Sequence, residues 1–574
     1  MTRSHTITDW DPEDRVQWAG GGERIAKRNL LWSVVAEHVG FSVWSLWSVM
    51  VLFMPESVYG ISAADKFLIA ATATLVGACL RLPYTLATAR FGGRNWTIFS
   101  AFVLAVPVLA TIVILANPGQ PLWVYLACAA LTGFGGGNFA SSMTNINAFF
   151  PQRLKGWALG LNAGGGNIGV PVVQLVGLLV IATAGNRQPH WVCAVYLVLL
   201  AVAGIGAALF MDNLRVPTVD MTAMRAALRH RHTWIVSLLY IGTFGSFIGF
   251  SFAFGQVMAA SYRAAGQSAA DAALHAAQIA FLGPLLGSIA RVYGGRLADR
   301  FDERCSSARK RPVAAGTDRF DERCTSATKR PVAAGTDRFD ERCSSARKRP
   351  VAAGTDRFDE RCTSARKRPV AAGTDRFDER CSSARKRPVA EGTDRFDGGG
   401  AVTMYAFVGM IGGAGVLIAT DLLSPTGVPS GPALAGYVAG FVLLFLLSGI
   451  GNGSVYKMIP SIFEAAARGL NADEATRTHY SRAMSGAVIG IAGAVGGLGG
   501  VGINLMLRAS YQATGGATIA FCVFGLCYAL AAALTWRVYV RVPAPATSAM
   551  PIPARHDTLV GVLTVDRLPA RGTS

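Results

Sequence analysis

Charged residues are scarce in this chain. Of its 574 residues only 16% are charged, against about 25% in ordinary soluble domains, whereas 51% are hydrophobic. This composition argues against a soluble domain and points to a membrane protein. The formal net charge of +19 does not indicate a nucleic-acid partner, because the basic residues lie between the apolar runs and not on them.

Signatures of secretion, metal binding and catalysis are also lacking. Residues 1–28 are polar, without the apolar core and cleavage site of a secretory signal, so we expect the first apolar run to remain as an anchor. None of the ten cysteines forms a CxxC pair, and no nucleophile–base set or phosphate-binding loop is recognisable. We therefore predict no enzyme, no cofactor and no metal site.

Apolar runs long enough to cross a bilayer recur along the chain. About 20 apolar residues suffice for a membrane-spanning helix. Candidate spans lie near 29–54, 67–89, 96–116, 122–149, 157–183, 191–210, 233–257, 274–294, 401–420, 432–459, 484–508 and 516–539. The predicted fold is an all-α membrane protein with twelve transmembrane helices.

The spans are expected to form two pseudo-symmetric halves of six helices. Arg81 and Arg90 in one half correspond to Arg291 and Arg300 in the other, in both cases nine residues apart. Internal repeats of this kind build the midplane binding sites of many transporters. The predicted organisation, in chain order, is an N-terminal tail (1–28), a first half (29–210), a linker (211–232), a second half (233–541) and a disordered C-terminal tail (542–574).

Positive charge is unevenly divided between the two sides of the predicted bundle. The connections on one side carry Arg90, Arg94, Arg153, Lys155, Arg215, Arg225, Arg229, Arg231, Arg468 and Arg477. The connections on the other side carry Lys66, Arg187, Arg263 and Arg508. Because positive charge concentrates on the cytoplasmic side, both termini are predicted to be cytoplasmic, with the chain in the cell inner (plasma) membrane.

A tandem repeat is inserted between spans 8 and 9, at 299–397. The 19-residue unit DRFDERCSSARKRPVAAGT begins at Asp299 and occurs in five near-identical copies. Each copy is polar and contains a proline and a glycine, which break helices, so we predict a disordered cytoplasmic loop. The alternatives are a stacked solenoid, a loop that touches lipid or nucleic acid, and a metal site at the repeated cysteines.

An arginine interrupts the second span. Arg81 stands about nine residues, or ~13 Å at 1.5 Å per residue, from the cytoplasmic end, too far for its side chain to reach water easily. A cation at this depth costs at least ~2.5 kcal/mol and usually has a function. Arg291 is its equivalent, and the spans contain almost no acids. We predict that the two guanidinium groups meet at a central cavity and bind an anion; pairing with a carboxylate is the structural alternative.

Amide and aromatic side chains are the other candidate ligands. Amides add hydrogen bonds without charge, and the candidates are Asn138, Asn162, Asn167 and Asn452. The candidate aromatic walls are Phe139, Tyr240 and Phe244. Glu37 and His38, inside the first span, are candidate proton-coupling residues, and the alternative for them is a satisfied polar pair.

With these residues assembled, the chain resembles the nitrate/nitrite porters of the major facilitator superfamily. The resemblance covers essentially all twelve spans and is specific at LRLPYTLATARFGGRNW, GFGGGNFASSMTNINAFFP, LNAGGGNIGVPVVQL and GSIARVYGGRLADRF. It implies that Arg81 and Arg291 clamp the anion. It also implies that the site is lined by Asn167, Phe139, Tyr240 and Phe244.

The same resemblance assigns a cytoplasmic gating motif. Gly295, Asp299 and Arg300 look like the superfamily's loop motif, and Arg90 is the counterpart of Arg300 in the first half. The tandem insertion departs from the family pattern, because it splits this motif after DRFD.

The expected function is transport of nitrate, nitrite or both by alternating access. It would proceed as nitrate/nitrite exchange or as proton-coupled nitrate uptake. The expected partners are nitrate, nitrite, protons and the lipid bilayer, and the expected state is a monomer. The rivals are a carrier for another small or organic anion and a non-transporting membrane sensor.

Overall fold

The computed structural model describes residues 5–184, 188–215, 221–309, 397–423 and 431–541. These ranges are almost entirely helical. Their two short strands, β1 (Thr6–Ile7) and β2 (Asn213–Leu214), form a parallel pair. The predicted disordered tail at 542–574 and most of the repeat loop lie outside the described residues.

The first half contains helices α1 to α12. In chain order they are α1 (Arg15–Gln17), α2 (Glu23–Trp44), α3 (Leu46–Met50), α4 (Glu56–Tyr59), α5 (Ala63–Cys79), α6 (Arg81–Phe91), α7 (Gly93–Val103), α8 (Ala105–Ala116), α9 (Leu122–Thr132), α10 (Phe134–Phe149), α11 (Gln152–Ala184) and α12 (His190–Phe210). A π-helical turn at Trp18–Gly22 joins α1 to α2, and a 3-10 turn at Val51–Phe53 follows α3.

The second half begins after a short helix in the linker. The helices are α13 (Met221–Arg229), α14 (Arg231–Tyr240), α15 (Ser246–Ala264), α16 (Ala269–Ala280), α17 (Leu282–Arg309), α18 (Asp397–Leu423), α19 (Gly431–Arg468), α20 (Glu474–Thr514) and α21 (Thr518–Thr535). A π-helical turn at Ile241–Gly245 joins α14 to α15, and another at Trp536–Val540 ends the described chain.

Helices occupy all twelve windows predicted from the sequence. Within the described ranges, ten helical segments are long and apolar enough to cross a membrane, and the pair Arg15–Trp44 and Leu46–Phe53, bent by 42°, makes an eleventh if it counts as one span. The remaining window, 122–149, is divided at Gly133 into α9 and α10, of 11 and 16 residues. The chain is therefore a multi-pass membrane protein.

The distribution of polarity is that of a helix bundle in lipid. Large apolar side chains such as Val113, Val198 and Leu530 are mostly exposed on the outer surface of the bundle. Polar side chains such as Asn167 and Asn452 are fully buried inside it. Lipid solvates the apolar exterior, so the polar groups that remain are concentrated between the helices, where sites are built.

The two halves touch at the end of the bundle that lies away from the termini. Asp65 at the start of α5 pairs with Arg508 of α20, with 3.6 Å between the carboxylate oxygen and the guanidinium nitrogen. Beside this pair the rings of Phe67 and Tyr511 lie 5.3 Å apart. This end of the interface between the halves is closed.

The N-terminal segment lies against both halves at the opposite end. Through β1 it pairs with β2, which follows α12. The Trp10 ring lies 5.5 Å from the ring of Phe149 at the end of α10. Glu13 accepts a hydrogen bond of 2.8 Å from Arg482 of α20, so the segment spans from the first half to the second.

Helix α17 is longer than the sequence predicted. The loop was predicted to begin at 299, but α17 continues to Arg309. The segment DRFDERCSSAR contains neither proline nor glycine, and the first helix breaker is Pro312. The predicted boundary is therefore wrong, because the transmembrane helix runs on into the first repeat copy.

Candidate functional site

Arg81 is the first residue of α6 and its side chain is wholly buried. Its Nε donates to Gly136 O of α10 at 3.3 Å, and its Nη1 donates to Gly493 O of α20 at 2.6 Å. Gly136 belongs to the first half and Gly493 to the second. The guanidinium of Arg81 therefore lies at the interface between the halves, as the sequence predicts for a central cavity.

Arg291 reaches the same interface from α17. Only 7% of it is exposed, and its Nη2 lies 3.3 Å from Tyr240 Oη, to which it donates. The Arg291 Cζ lies 5.5 Å from the centre of the Phe139 ring, and Arg81 Cζ lies 4.8 Å from the same ring. The two guanidinium groups thus share one aromatic neighbour.

An aromatic cluster surrounds these arginines, formed by Phe139, Tyr240, Phe244 and Tyr456. The Phe244 ring lies 4.5 Å from Arg81 Cζ and is stacked on Tyr240, with 5.0 Å between the ring centres. The Tyr456 ring lies 5.2 Å from Arg291 Cζ and 4.8 Å from the Tyr240 ring. Aromatic faces attract cations and keep water away, so this cluster stabilises both guanidinium groups without neutralising them.

The positive charge of the pair is not balanced by a nearby acid. No carboxylate among the described residues lies within 4 Å of either guanidinium, although Glu37 is close enough to attract both. Arg81 Nη2 and Arg291 Nη1 are buried and have no hydrogen-bond partner in the described ranges. The site therefore offers unused donors and uncompensated positive charge, which together suit an anion.

Glu37 belongs to a separate polar cluster. It is fully buried on α2 and accepts hydrogen bonds at Oε2 from Ser142 Oγ and, at 2.5 Å, from Asn162 Nδ2. Its Oε1 has no described partner. The neighbouring His38 lies apart from this cluster, with its Nδ1 3.2 Å from Gly165 O. Glu37 and His38 therefore do not form a hydrogen-bonded pair.

The remaining candidate asparagines are buried but have different neighbours. The Asn138 side chain packs beside Gly40 of α2, and its Oδ1 has no partner among the described residues. In Asn167 and Asn452 both polar side-chain atoms are without a described partner. None of these amides donates to or accepts from either arginine, so their contact with an anion stays a prediction.

A cavity of about 350 Å³ leads from the terminal side of the molecule to this site. Its inner end is formed by Phe139 and Gly493, which both contact Arg81. Its outer wall includes Trp10, Glu13 and Arg482. Both halves and the N-terminal segment therefore line a path that ends at Phe139 and Gly493, beside Arg81.

The predicted gating motif lies on the helix ends outside this cavity. Arg90 and Arg300 are exposed, and a side chain added at Gly295 of α17 would meet no atom within 4 Å. Asp299 lies within α17. The role of these residues in gating stays a prediction. Within the described residues no three His, Cys, Asp or Glu side chains form a group that could hold a metal ion.

Three site residues were missed by sequence reasoning. Tyr456 and Gly493 contact the arginines as described, and the Trp44 ring lies 5.6 Å from Arg81 Cζ. Tyr456 and Gly493 stand in glycine-rich runs, at 449–460 and 486–502, and neither residue was a candidate in the sequence analysis. For Tyr456 the sequence did contain a signal, namely its position four residues, or about one helical turn, beyond the candidate Asn452.

Comparison with known proteins finds a matching family model and several similar transporters. The family model described as Major Facilitator Superfamily matches residues 38–315. The nitrate/nitrite transporter NarU of Escherichia coli is 29% identical over 94% of this chain and 96% of its own length. The probable nitrate/nitrite antiporter NarK2 of Thermus thermophilus is 28% identical over 93% of this chain and 96% of its own. NarU of Salmonella typhimurium is 36% identical over 52% of this chain and 66% of its own.

Proposed function

The chain belongs to the major facilitator superfamily, and from this premise we propose that it carries nitrate and nitrite across a membrane by alternating access. The relatives that align over nearly the whole chain are named as nitrate/nitrite transporters or antiporters, which supports the choice of substrate. The anion binds between Arg81 and Arg291, and Phe139 and Phe244 enclose it.

One observation carries the proposal. Two buried guanidinium groups, one from each half, face a common aromatic cluster with no carboxylate within 4 Å in the described residues. Guanidinium cannot lose its proton at ordinary pH, so the missing negative charge must come from elsewhere. A small planar anion with oxygens at its edge matches the planar fork of donors on each arginine.

Alternating access is supported by a difference between the two ends of the interface, one of which is open and the other closed. The halves are separated by the 350 Å³ cavity on the terminal side and are in contact at the Asp65–Arg508 pair on the other. Rocking of one half against the other would close the first path and open the second around the same arginines. We take the present arrangement as the one that faces the cytoplasm, with both termini on that side of the cell inner membrane and one chain as the working unit.

Exchange of one anion for another is the expected mode of transport. Arg81 and Arg291 repel each other across a site with little water, and that repulsion weakens only when an anion is bound. An empty carrier would have to move both unpaired charges through the closed state. Bound nitrate or nitrite lowers the energy of this closed state, and so speeds reorientation of the carrier both inward and outward.

The test is counterflow into liposomes that contain the purified protein. With nitrite inside, we expect uptake of labelled nitrate to rise at least about tenfold above that of liposomes without internal anion, since a tenfold effect corresponds to about 1.4 kcal/mol. External nitrite should compete, whereas chloride and bulky carboxylates should not. Preferred competition by an organic carboxylate would instead identify a carrier for organic anions.

A buried acid near the arginines favours proton coupling as a second mode. Glu37 is fully buried and its Oε1 has no described partner, while Ser142, Asn162 and the two arginines are the polar groups that act on it. An anion that neutralises the arginines removes the attraction that keeps the carboxylate charged. Anion binding and proton binding at Glu37 would therefore favour each other.

Glu37→Gln separates this mode from exchange. We expect the variant to lose the stimulation of nitrate uptake by an inward proton gradient, because glutamine carries no exchangeable charge. Counterflow of nitrate against nitrite should persist, since exchange moves no net proton. Uptake that responds equally to the gradient in both proteins would remove Glu37 from the mechanism.

A further inference from the structure

Tyr456 of α19 supplies a donor that the proposed site does not yet use. Its hydroxyl oxygen is buried beside the Tyr240 side chain, which is a polar neighbour. By distance and angle together it has no hydrogen-bond partner among the described residues. Its ring is held by the neighbouring rings of Tyr240 and Phe139, at 4.8 and 6.0 Å between ring centres. A buried hydroxyl without a partner is costly, and its presence beside two cations calls for an acceptor.

The hydroxyl converges with the two guanidinium groups. A methyl group placed on Gly493 would lie 3.4 Å from Tyr456 Oη and 3.5 Å from Arg81 Nη1, so both atoms face one small space. From the other side, Arg291 Cζ lies 5.2 Å from the Tyr456 ring centre. Among the described residues, Arg81 Nη2, Arg291 Nη1 and Tyr456 Oη are three donors without a hydrogen-bond partner. Their side chains meet at the same aromatic cluster, because Phe139 lies against all three.

We propose that Tyr456 is a specificity-determining residue, whose hydroxyl donates the third hydrogen bond to the bound anion and favours nitrate over nitrite. The inference rests on the proposed function, because it assigns a role within the same site. Nitrate offers three equivalent oxygens, one for each donor. Nitrite offers two, and toward the third donor it presents only a nitrogen lone pair, which is set back by one bond. A site built around a hydrogen bond discriminates against the analogue that cannot make it.

Tyr456→Phe tests the assignment by the ratio of two affinities. Nitrate and nitrite dissociation constants are measured by calorimetry on the purified full-length protein. We expect the variant to bind nitrate about tenfold more weakly, and nitrite less than about threefold more weakly, since a hydrogen bond to an ion contributes more than one to a neutral group. Removal of a hydroxyl without a protein partner should leave the melting temperature close to that of the wild type.

Two further variants complete the comparison. Tyr240→Phe removes the acceptor that orients Arg291 Nη2. The affinities for nitrate and for nitrite should therefore fall by similar factors. Tyr405→Phe, at an exposed position of α18, should change neither affinity. Only Tyr456→Phe is expected to change the nitrate-to-nitrite ratio.

The outcomes separate this inference from the function on which it rests. If the wild type binds neither anion, the proposed function is wrong. If the wild type binds both and Tyr456→Phe leaves their ratio unchanged, the function stands and the role of Tyr456 is refuted. If Tyr456→Phe selectively loses affinity for nitrate, the result supports both the proposed function and the role of Tyr456.

Discussion

Arg81→Lys should nearly abolish nitrate transport while leaving the protein folded. Lysine keeps the positive charge but loses the planar fork, and with it the free Nη2 donor that the proposed site offers to the anion. A charge-assisted hydrogen bond contributes about 1.5–3 kcal/mol, so we expect nitrate affinity to fall by roughly 10- to 150-fold. Calorimetry on the purified variant and counterflow in liposomes measure the two effects.

Arg537→Lys is the matched control for this substitution. Arg537 is an exposed arginine in the last π-helical turn, far along the chain from the site. The same change of side chain there should leave nitrate affinity within about twofold of the wild type, because substitutions at exposed positions rarely matter. Equal effects at both positions, or an unaltered affinity in Arg81→Lys, would contradict the anion clamp.

Gly493→Ala should block the site without unfolding the bundle. The added methyl group would lie 3.4 Å from Tyr456 Oη, 3.5 Å from Arg81 Nη1 and 3.8 Å from Phe139 Cε1. These are contacts that the empty protein tolerates, but they fill the space in which an anion would meet its donors. Overpacking of this kind costs about 1–3 kcal/mol, and we expect a loss of nitrate affinity of roughly 5- to 150-fold.

Gly502→Ala, in the same helix, distinguishes occlusion from a general effect on α20. A methyl group at Gly502 would meet no atom within 4 Å, and alanine is favoured over glycine in a helix by about 0.5–1 kcal/mol. This variant should bind nitrate normally and melt no earlier than the wild type. If Gly493→Ala also binds nitrate normally, the anion lies elsewhere in the protein.

The fold was largely accessible from the sequence, and so was the pair of arginines. Apolar runs fix where helices cross a bilayer, because length and hydrophobicity alone decide insertion. Arg81 and Arg291 were conspicuous because charge within such runs is rare, and their matching positions in the two halves predicted that they meet. The structure brings both to Phe139, which contacts each of them.

The rest of the site depends on contacts between distant segments. Asn162 was predicted to be an anion ligand because it is an amide within a predicted span, yet its amide nitrogen donates to Glu37 on another helix. Tyr456 looked ordinary in the sequence and acquires its significance only from the arginines of α6 and α17 beside it. These contacts depend on how each helix is rotated about its axis and on how the two halves pack together. The local periodicity of the sequence predicts neither.

The end of α17 illustrates a different difficulty. Polar composition predicted a loop from 299, but a helix already formed needs a breaker to stop it, and none occurs before Pro312. Once nucleated, a helix extends at little cost, so a change to polar composition at the edge of the membrane does not by itself end it.

The bond from Arg81 Nη1 to Gly493 O joins the two halves at their centre, and it has a consequence for turnover. If the halves separate there in the proposed alternating-access cycle, this bond must be broken and remade once in each cycle. On the proposed mechanism, an anion bound between the arginines would compete with the Gly493 carbonyl for the Arg81 guanidinium. If so, an empty carrier would keep this bond and reorient slowly, and leakage without bound anion would be low.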